Sequence, residues 1–331
     1  MLFQSWLFIL INACLALAAG RTSAPAGALV VGGSGKYKTV SAAVAALSKT
    51  STSAQSIFIN PGTYSEQVYI PALKSALTIY GSTTDTSTYT ANTVTITHNQ
   101  GLSSAANDDA TAALRVWTTN FKLYNVNVVN TRGKGEQALA LSASAGNQGY
   151  YGCQFRGYQD TILSETGNQV FARNYIEGAI DFIFGQHATA WFTKNDIRVL
   201  ATSYGTITAS GRSSSSDSSW YVLDQCTIAA ASGQSVPNGA YYLGRPWSQY
   251  ARVTVQKSTM TSVINAAGWH NWSDSSPNTA DVTLEEYGNS GAGASGTRAS
   301  FSKKISSPIS VNQILGGSYA SAAYVDTSYF S

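Results

Sequence analysis

Six short segments of this chain resemble one another and recur between residues 124 and 262. Each alternates apolar and polar residues, which is typical of a β-strand with one buried face. The segments are YNVNVVN (124–130), YGCQFRG (151–157), RNYIEG (173–178), KNDIRV (194–199), DQCTIAA (224–230) and QKSTMTS (256–262), with last inward apolar residues Val128, Phe155, Ile176, Ile197, Ile228 and Met260. These residues are 27, 21, 21, 31 and 32 positions apart. A shortest interval of 21, lengthened elsewhere by loop insertions, indicates stacked coils of a parallel β-helix.

The same pattern predicts an all-β chain with one short helix. The strands IFINPGTY, LTIYG and VTITHN extend the array towards the N-terminus, and TVSAAVAALS (39–48) has the apolar spacing of a helix that would cap the first coil. A β-sandwich is the alternative, but hairpin signals such as Asn-Gly are scarce between the strands. Because no linker divides the chain, we expect one domain over residues 19–331.

The cysteines give a test of the repeat. Cys153, Asn174, Asn195 and Cys226 share one column on successive coils. Three coil steps are roughly 14 Å, beyond the ~7 Å limit on the Cα separation of a disulfide. Although a secreted chain favours disulfides, the register predicts two free, buried thiols.

The N-terminus and the charge indicate a secreted protein. An apolar run ends in Ala16-Leu17-Ala18, which predicts a signal peptide over residues 1–18, with a membrane-anchoring helix as the alternative. No later stretch is long enough to cross a membrane. A net charge of +3, with scattered Lys and Arg, argues against nucleic-acid binding. The sequon at Asn271 is a candidate glycosylation site.

Two carboxylates fall into register on adjacent coils. Asp160 lies five residues after Phe155, and Asp181 lies five residues after Ile176. The repeat therefore places their Cα atoms about 4.8 Å apart, each at the start of a following strand. Gln137 would take the same place on the preceding coil, with Gln159 beside the column. Stacked carboxylates repel, which predicts one ionised acid and one proton donor; a solvated column of aspartates is the alternative.

At these positions the chain resembles the pectin methylesterases, most closely their fungal members. The resemblance is carried by QALAL, GYQDTIL, EGAIDFIFG and LGRPWSQYARV, in that order. It implies a right-handed, single-stranded parallel β-helix that hydrolyses methyl esters of polygalacturonate to pectate and methanol. It also implies no metal or organic cofactor, and we expect a secreted monomer whose partner is pectin.

The resemblance further assigns roles to individual residues. Asp181 would be the nucleophile and Asp160 the general acid and base. Gln137 and Gln159 would donate hydrogen bonds to the oxyanion, and Arg245 would hold Asp181 ionised through a bidentate contact. Trp247 would pack against a sugar ring, and Phe184 either lines the groove or fills the coil interior.

Two positions depart from the family pattern. Glu136 stands where many relatives carry His, which would alter the charge near the oxyanion. Leu163 stands where an aromatic residue is common, which would remove one stacking contact.

Other chemistries fit the sequence less well. Gly-x-Ser-x-Gly is absent, GGSGK (32–36) lacks the spacing of a phosphate loop, and the three histidines show no metal-ligand spacing. A pectate lyase would gather acids around calcium, and a polygalacturonase would show Gly-His-Gly and Arg-Ile-Lys, which do not occur. These enzymes and a carbohydrate-binding β-helix remain the competing hypotheses.

Overall fold

The structure, a computed structural model, describes residues 19–331, which form a parallel β-helix built from three sheets. The eleven-stranded sheet comprises Leu29–Val31, Gln55–Ile59, Leu77–Gly81, Phe121–Tyr124, Gln148–Tyr151, Thr166–Ala172, His187–Thr193, Trp220–Asp224, Arg252–Gln256, Thr283–Tyr287 and Ser302–Lys304. The eight-stranded sheet comprises Gly62–Ser65, Val94–His98, Asn127–Asn130, Gln154–Arg156, Tyr175–Gly178, Asp196–Val199, Thr227–Ala230 and Thr259–Met260. The seven-stranded sheet comprises Val68–Ile70, Leu114–Val116, Leu141–Ala143, Ile162–Ser164, Ile183–Gly185, Gly205–Ser210 and Tyr241–Pro246.

The observed register confirms the predicted repeat. In the eight-stranded sheet Phe155 pairs with Val128 on one side and with Ile176 on the other. The pairing continues from Ile176 through Ile197, Ile228 and Met260. All ladders between these strands are parallel, which excludes the β-sandwich, since a sandwich is built from antiparallel strands.

The interior of the coil is packed by apolar residues that stack on their counterparts in the next coil. Tyr150, Phe171 and Phe192 form one such stack, with ring centroids 4.7 Å and then 4.4 Å apart and nearly parallel planes. All three side chains are fully buried. The inward face of each strand therefore repeats the same environment, which is why a sequence period is visible at all.

The turn from the eleven-stranded to the eight-stranded sheet has the same backbone conformation in successive coils. Its first residue has a positive φ whether or not it is glycine; the residues are Asn125, Gly152, Arg173, Lys194, Gln225, Lys257 and Gly288. The next residue points inward, and this position holds Cys153, Asn174, Asn195 and Cys226. Both cysteines are buried and free, as the register predicts.

Helices and irregular segments cover the parts of the stack that the sheets leave open. Helix α1 (Val40–Ala45) confirms the predicted cap, although it is shorter than the 39–48 pattern. It contacts the first strands of the β-helix. Helix α2 (Val311–Leu315) was not predicted; it packs with the C-terminal residues on the outer face of the eleven-stranded sheet. Short 3₁₀ turns occur at Leu102–Ser104, Asp109–Thr111, Ala292–Ala294, Tyr319–Ser321 and Thr327–Tyr329.

The predicted signal peptide, residues 1–18, lies outside the described residues. Among residues 19–331 no helix has the length and apolar character needed to span a bilayer.

Candidate active site

Asp160 and Asp181 occupy equivalent left-handed turns on adjacent coils. Their φ angles are 62° and 48°, a region that Asp tolerates better than most residues. The Asp160 N–H donates to the Ile180 carbonyl at 3.0 Å, and Gln159 forms a bridge with Ile180, so the two aspartates are neighbours as predicted. They do not begin their strands, because the ladder resumes two residues later, at Ile162 and Ile183.

Asp181 is a buried carboxylate with several donors directed at it. Arg245 donates from Nε to Oδ1 at 3.0 Å and from Nη2 to Oδ2 at 2.6 Å, which is a bidentate pair. The Thr206 hydroxyl donates to Oδ1 at 2.6 Å and accepts the Asp181 N–H at 3.0 Å. The Arg245 guanidinium also lies over the Trp272 ring, 4.1 Å from its centroid. These contacts hold the Asp181 carboxyl group in a fixed orientation beside a guanidinium.

Asp160 has the opposite environment. Its side chain is 7 % exposed, and its carboxyl group forms no side-chain hydrogen bond or ion pair among residues 19–331. Burial raises the pKa of Asp160 well above its ordinary value, and the charges of Asp181 and Asp108 raise it further, while Arg245 opposes them. Of the two neighbouring acids, Asp160 is therefore the one suited to act as a proton donor.

The predicted position of Gln137 is wrong by one residue. The Ala138 N–H donates to the Gln159 carbonyl, as the Asp160 N–H does to Ile180, so Ala138 is the neighbour of Asp160 and Gln137 lies beside Gln159. The shift arises because Ala140 and Leu141 both donate to the Thr161 carbonyl. Such a two-against-one arrangement is a β-bulge, which absorbs one residue. The two glutamines thus flank the carboxylates as a pair.

A groove of about 250 Å³ surrounds these groups. It is lined by Asp108, Gln137, Gln159, Asp160, Asp181, Phe184, Ala209, Arg245, Trp247 and Trp272. All seven predicted site residues are therefore brought together. The side-chain amides of Gln137 and Gln159 form no hydrogen bond with residues 19–331, so both are free to donate to a substrate in the groove.

Phe184 belongs to the groove and not to the coil interior. Its strand neighbour Ile183 packs in the central core, whereas Phe184 packs in a separate cluster outside the coil. The ring centroids of Phe184 and Trp247 are 6.2 Å apart. Gly211 permits this arrangement, because a Cβ atom at that position would come within 2.5 Å of the Trp247 ring. The two rings form an apolar wall next to the acids.

Three residues of the site were missed by the sequence analysis. Asp108 lies in an irregular segment before a 3₁₀ turn, where no periodicity points to it. Thr206 sits 25 residues after Asp181, in a coil lengthened by an insertion, so the 21-residue interval does not find it. Trp272 was visible only as the central residue of the Asn271 sequon.

Two departures from the family pattern have structural explanations. Glu136 points away from the groove: it binds the Nε of Arg132 at 2.5 Å and accepts the Ser103 N–H at 2.6 Å. Its charge is therefore paired outside the site. The expectation that Glu136 alters the charge near the oxyanion is not met. Leu163 is 8 % exposed and packs in the cluster of Phe184, so it still supplies apolar surface without a ring.

The histidines do not form a metal centre. His98 binds Gln100, His187 binds Asp217, and His270 packs against Tyr204 and Tyr242. No group of three or more His, Cys, Asp or Glu side chains within residues 19–331 is arranged to hold a metal ion.

Comparisons with known proteins agree with this geometry. The family model described as Pectinesterase matches residues 28–317. A pectinesterase of Aspergillus niger is 57% identical over 331 residues, covering 99% of each chain, and one of Aspergillus aculeatus is 54% identical over 319 residues, covering 95% of this chain and 96% of its own. The crystal structure of an A. niger pectin methylesterase in deglycosylated form superposes with a TM-score of 0.87 at 44% identity, covering 94% of this chain and 100% of its own.

Proposed function

The chain belongs to the pectinesterase family, and on that premise we propose that it removes methyl groups from methyl-esterified homogalacturonan, giving pectate and methanol. One observation carries the mechanism: two aspartates on adjacent coils differ in that only Asp181 is paired with a guanidinium. This asymmetry supports a nucleophile and a proton donor side by side.

In the first half of the reaction, a carboxylate oxygen of Asp181 attacks the ester carbonyl carbon, and the carbonyl electron pair moves onto its oxygen. The amide groups of Gln137 and Gln159 donate to that oxyanion, a kind of stabilisation worth about 2.7–4 kcal/mol per donor. As the intermediate collapses, the C–O bond to methoxide breaks and Asp160 gives its proton to the leaving oxygen. Methanol departs and an anhydride joins Asp181 to the sugar.

In the second half, the ionised Asp160 takes a proton from water, and the resulting hydroxide equivalent attacks the sugar carbonyl of the anhydride. The bond to Asp181 breaks, which restores Asp181 as an anion and releases the galacturonic acid carboxyl group, whose remaining proton is lost to solvent. Asp160 ends the cycle protonated, so both acids return to their starting states. No metal or organic cofactor enters these steps.

The apolar wall of the groove is assigned to sugar binding. Trp247 and Phe184 present ring surface beside the acids, and aromatic rings commonly pack against the faces of sugars. Arg245 would contribute to binding indirectly, because it orients Asp181 and is itself held by Trp272.

We also propose that the protein is a secreted, monomeric glycoprotein. The apolar leader over residues 1–18 supports secretion. The Asn271 sequon is half-buried, and its side chain contacts the Ser273 carbonyl at 3.4 Å, so a glycan there would extend from the loop that carries Trp272.

The experiment that tests the function follows acid release from highly methylated pectin at constant pH, with a chelator present, while methanol and unsaturated products are measured. We expect methanol to appear one-for-one with acid, without chain cleavage. Unsaturated ends or falling viscosity without methanol would instead identify a depolymerase, and no product would favour a binding module.

The Asp181→Asn variant tests the nucleophile. We expect kcat to fall by at least about 10³-fold, because the amide cannot form the covalent intermediate. Asp274→Asn, which changes an exposed aspartate, is the matched control and should retain activity. Near-wild-type turnover by Asp181→Asn would remove Asp181 from this role.

A further inference from the structure

Arg252 carries a charge that forms no ion pair with the residues of the described part of the chain. It begins the strand Arg252–Gln256, and its guanidinium lies over the Trp220 ring, 3.4 Å from the centroid. Its Nε atom is buried without a hydrogen-bond acceptor in the described part of the chain, and Arg252 is absent from the seven ion pairs found there. The two Nη atoms also form no hydrogen bond with residues 19–331, and they are not buried as Nε is, so the end of the guanidinium is open to a ligand.

The surroundings of Arg252 form an open cleft of about 590 Å³ on the outer face of the eleven-stranded sheet. Asn168, Thr189, Trp220 and Arg252 follow one another in register on four consecutive strands, which spans roughly 14 Å. The opposite wall is α2 and the residues around it, including Gln313. The site is thus a row of polar side chains along the helix axis, closed on one side by the C-terminal segment.

The charges around the cleft favour an anion. Arg212 is the cation whose charge acts on Arg252. Its guanidinium donates to the backbone carbonyls of Asp217, Tyr250 and Ser215. Burial and Arg212 lower the pKa of Arg252, and Glu285 only partly opposes them. The Glu285 carboxylate accepts the Thr254 hydroxyl at 3.2 Å and makes no ion pair with Arg252. A bound carboxylate would supply acceptors for the two Nη atoms of Arg252.

We infer that this cleft is a second, non-catalytic site that binds the carboxylate of a uronic acid sugar. The planar fork of Arg252 matches a carboxylate in bidentate geometry. Half of the remaining lining residues carry neutral hydroxyl or amide groups, which suit the hydroxyl groups of a sugar ring; they are Asn168, Thr189, Ser218 and Gln313. Trp220, Ile314 and Leu315 add apolar surface that suits a sugar face. The choice of a uronate rests on the proposed function, because de-esterification produces this carboxylate along the polymer.

The site is separate from the active groove. The catalytic aspartates precede strands of the seven-stranded sheet, whereas the cleft lies on the outer face of the eleven-stranded sheet, around the corner of the coil. De-esterified polymer bound in the cleft would anchor the enzyme to pectate without occupying the carboxylates that perform the reaction.

Trp220 lines the cleft and provides a reporter for the test. Its indole N–H donates to the buried Thr254 hydroxyl at 3.0 Å. Fully de-esterified galacturonate hexamer is titrated into the ¹⁵N-labelled full-length protein, and the Trp220 indole signal is followed by NMR. We expect a saturable shift in the wild type. The Arg252→Gln variant should bind about tenfold more weakly or worse, because it loses the charge-assisted pair.

Lys122→Gln is the matched control, since it removes a cation from the same sheet outside the cleft. It should titrate like the wild type. Arg252→Lys keeps the charge but loses the fork, so it should bind with intermediate strength, and thermal unfolding checks that each variant is folded. Both Arg252 variants should keep the wild-type rate of methanol release.

Three outcomes would overturn the inference. The first is that the hexamer does not shift the Trp220 signal of the wild type. The second is that it shifts the signal equally in Arg252→Gln. The third is that sodium sulfate at the same ionic strength shifts the wild-type signal as strongly as the hexamer does, which would identify a general anion effect. Methanol release is measured on the same samples, so a failure of the second site is distinguished from a failure of the esterase assignment.

Discussion

At the scale of single residues, two identical side chains acquire different roles from their surroundings. Asp160 and Asp181 sit in the same backbone conformation on adjacent coils, so the local chain does not distinguish them. Arg245 and Thr206 contact Asp181 but not Asp160, whose buried side chain receives no hydrogen bond from residues 19–331. The difference in protonation is therefore a property of the packed groove and not of the two sequence segments.

Asp108 is expected to contribute to the alkaline limit of activity, after burial and the charge of Asp181. Its negative charge contributes to raising the pKa of Asp160, and one of its own oxygens is buried without a partner in the described residues. Activity that needs protonated Asp160 falls as the pH rises through that pKa. Asp108→Asn removes the charge, so the alkaline limb of the kcat profile should move to lower pH.

The measurement is kcat against pH on methylated pectin for the wild type and for Asp108→Asn, with Asp274→Asn as the control. A limb that stays in place, or that moves to higher pH, would contradict the coupling. Because the two acids interact, the profile reports the pair as a unit.

Asp160 is also expected to cost stability where it ionises. An acid whose pKa is raised in the folded state contributes stability that is fully present below its unfolded pKa of about 3.9 and is lost as the pH rises through its folded pKa. The neutral Asp160→Asn variant does not have this loss. Its Tm should match the wild type at about pH 3 and exceed it at about pH 8.

Thermal unfolding of both proteins across that range checks the sign. A variant that is less stable than the wild type at the higher pH would show that Asp160 makes a stabilising contact in its ionised form.

At the scale of the element, the turns are held by inward side chains that bond to the coils beside them. The Asn195 amide accepts the Asn174 N–H at 2.8 Å and donates to the Phe171 carbonyl at 2.9 Å. Asn174 in turn accepts the Cys153 N–H at 2.7 Å. These bonds give partners to backbone N–H groups at the left-handed turns. The column that contains Cys153, Asn174, Asn195 and Cys226 therefore helps to hold successive coils together.

Asn195→Ala should therefore destabilise the protein by about 1–3 kcal/mol, since it removes the acceptor of the buried Asn174 N–H. Denaturant unfolding measures the change, and Asn238→Ala, at an exposed position, provides the control and should change stability by less than about 0.5 kcal/mol. Equal stabilities would mean that water or a backbone shift satisfies the turn.

At the scale of the whole molecule, the stack has an interior that continues from coil to coil and ends that need covering. Val40, Ala43 and Val44 of α1 are buried against the first coil, and Glu66 accepts the N–H groups of Val40 and Ser41 at 2.7 and 2.9 Å. The cap is thus joined to the coil by both packing and hydrogen bonds, which indicates that it stabilises the whole solenoid.

Val44→Asp should destabilise the protein severely, by about 3 kcal/mol or more, because it places an unpaired carboxylate between the cap and the apolar interior. Ala45→Asp, one residue later on the exposed face of the same helix, should have little effect. Both are compared by thermal unfolding; a similar Tm for the two variants would show that the cap is dispensable.

The sequence by itself determined the fold, the coil register and the pairing of Asp160 with Asp181. These features follow from the 21-residue period, because each coil must place its inward side chains over those of the coil before it. The free thiols of Cys153 and Cys226 follow from the same register. The contact between Arg245 and Asp181 came from the family resemblance and is present in the structure.

The tertiary structure decided what the period does not encode. A bulge of one residue moved Gln137 beside Gln159, irregular segments brought Asp108 and Trp272 into the groove, and the C-terminal residues closed the cleft of Arg252. Strand periodicity records only which side chains face inward. The positions of insertions, bulges and covering segments depend instead on contacts between residues far apart in the chain, which exist only once the coils have stacked.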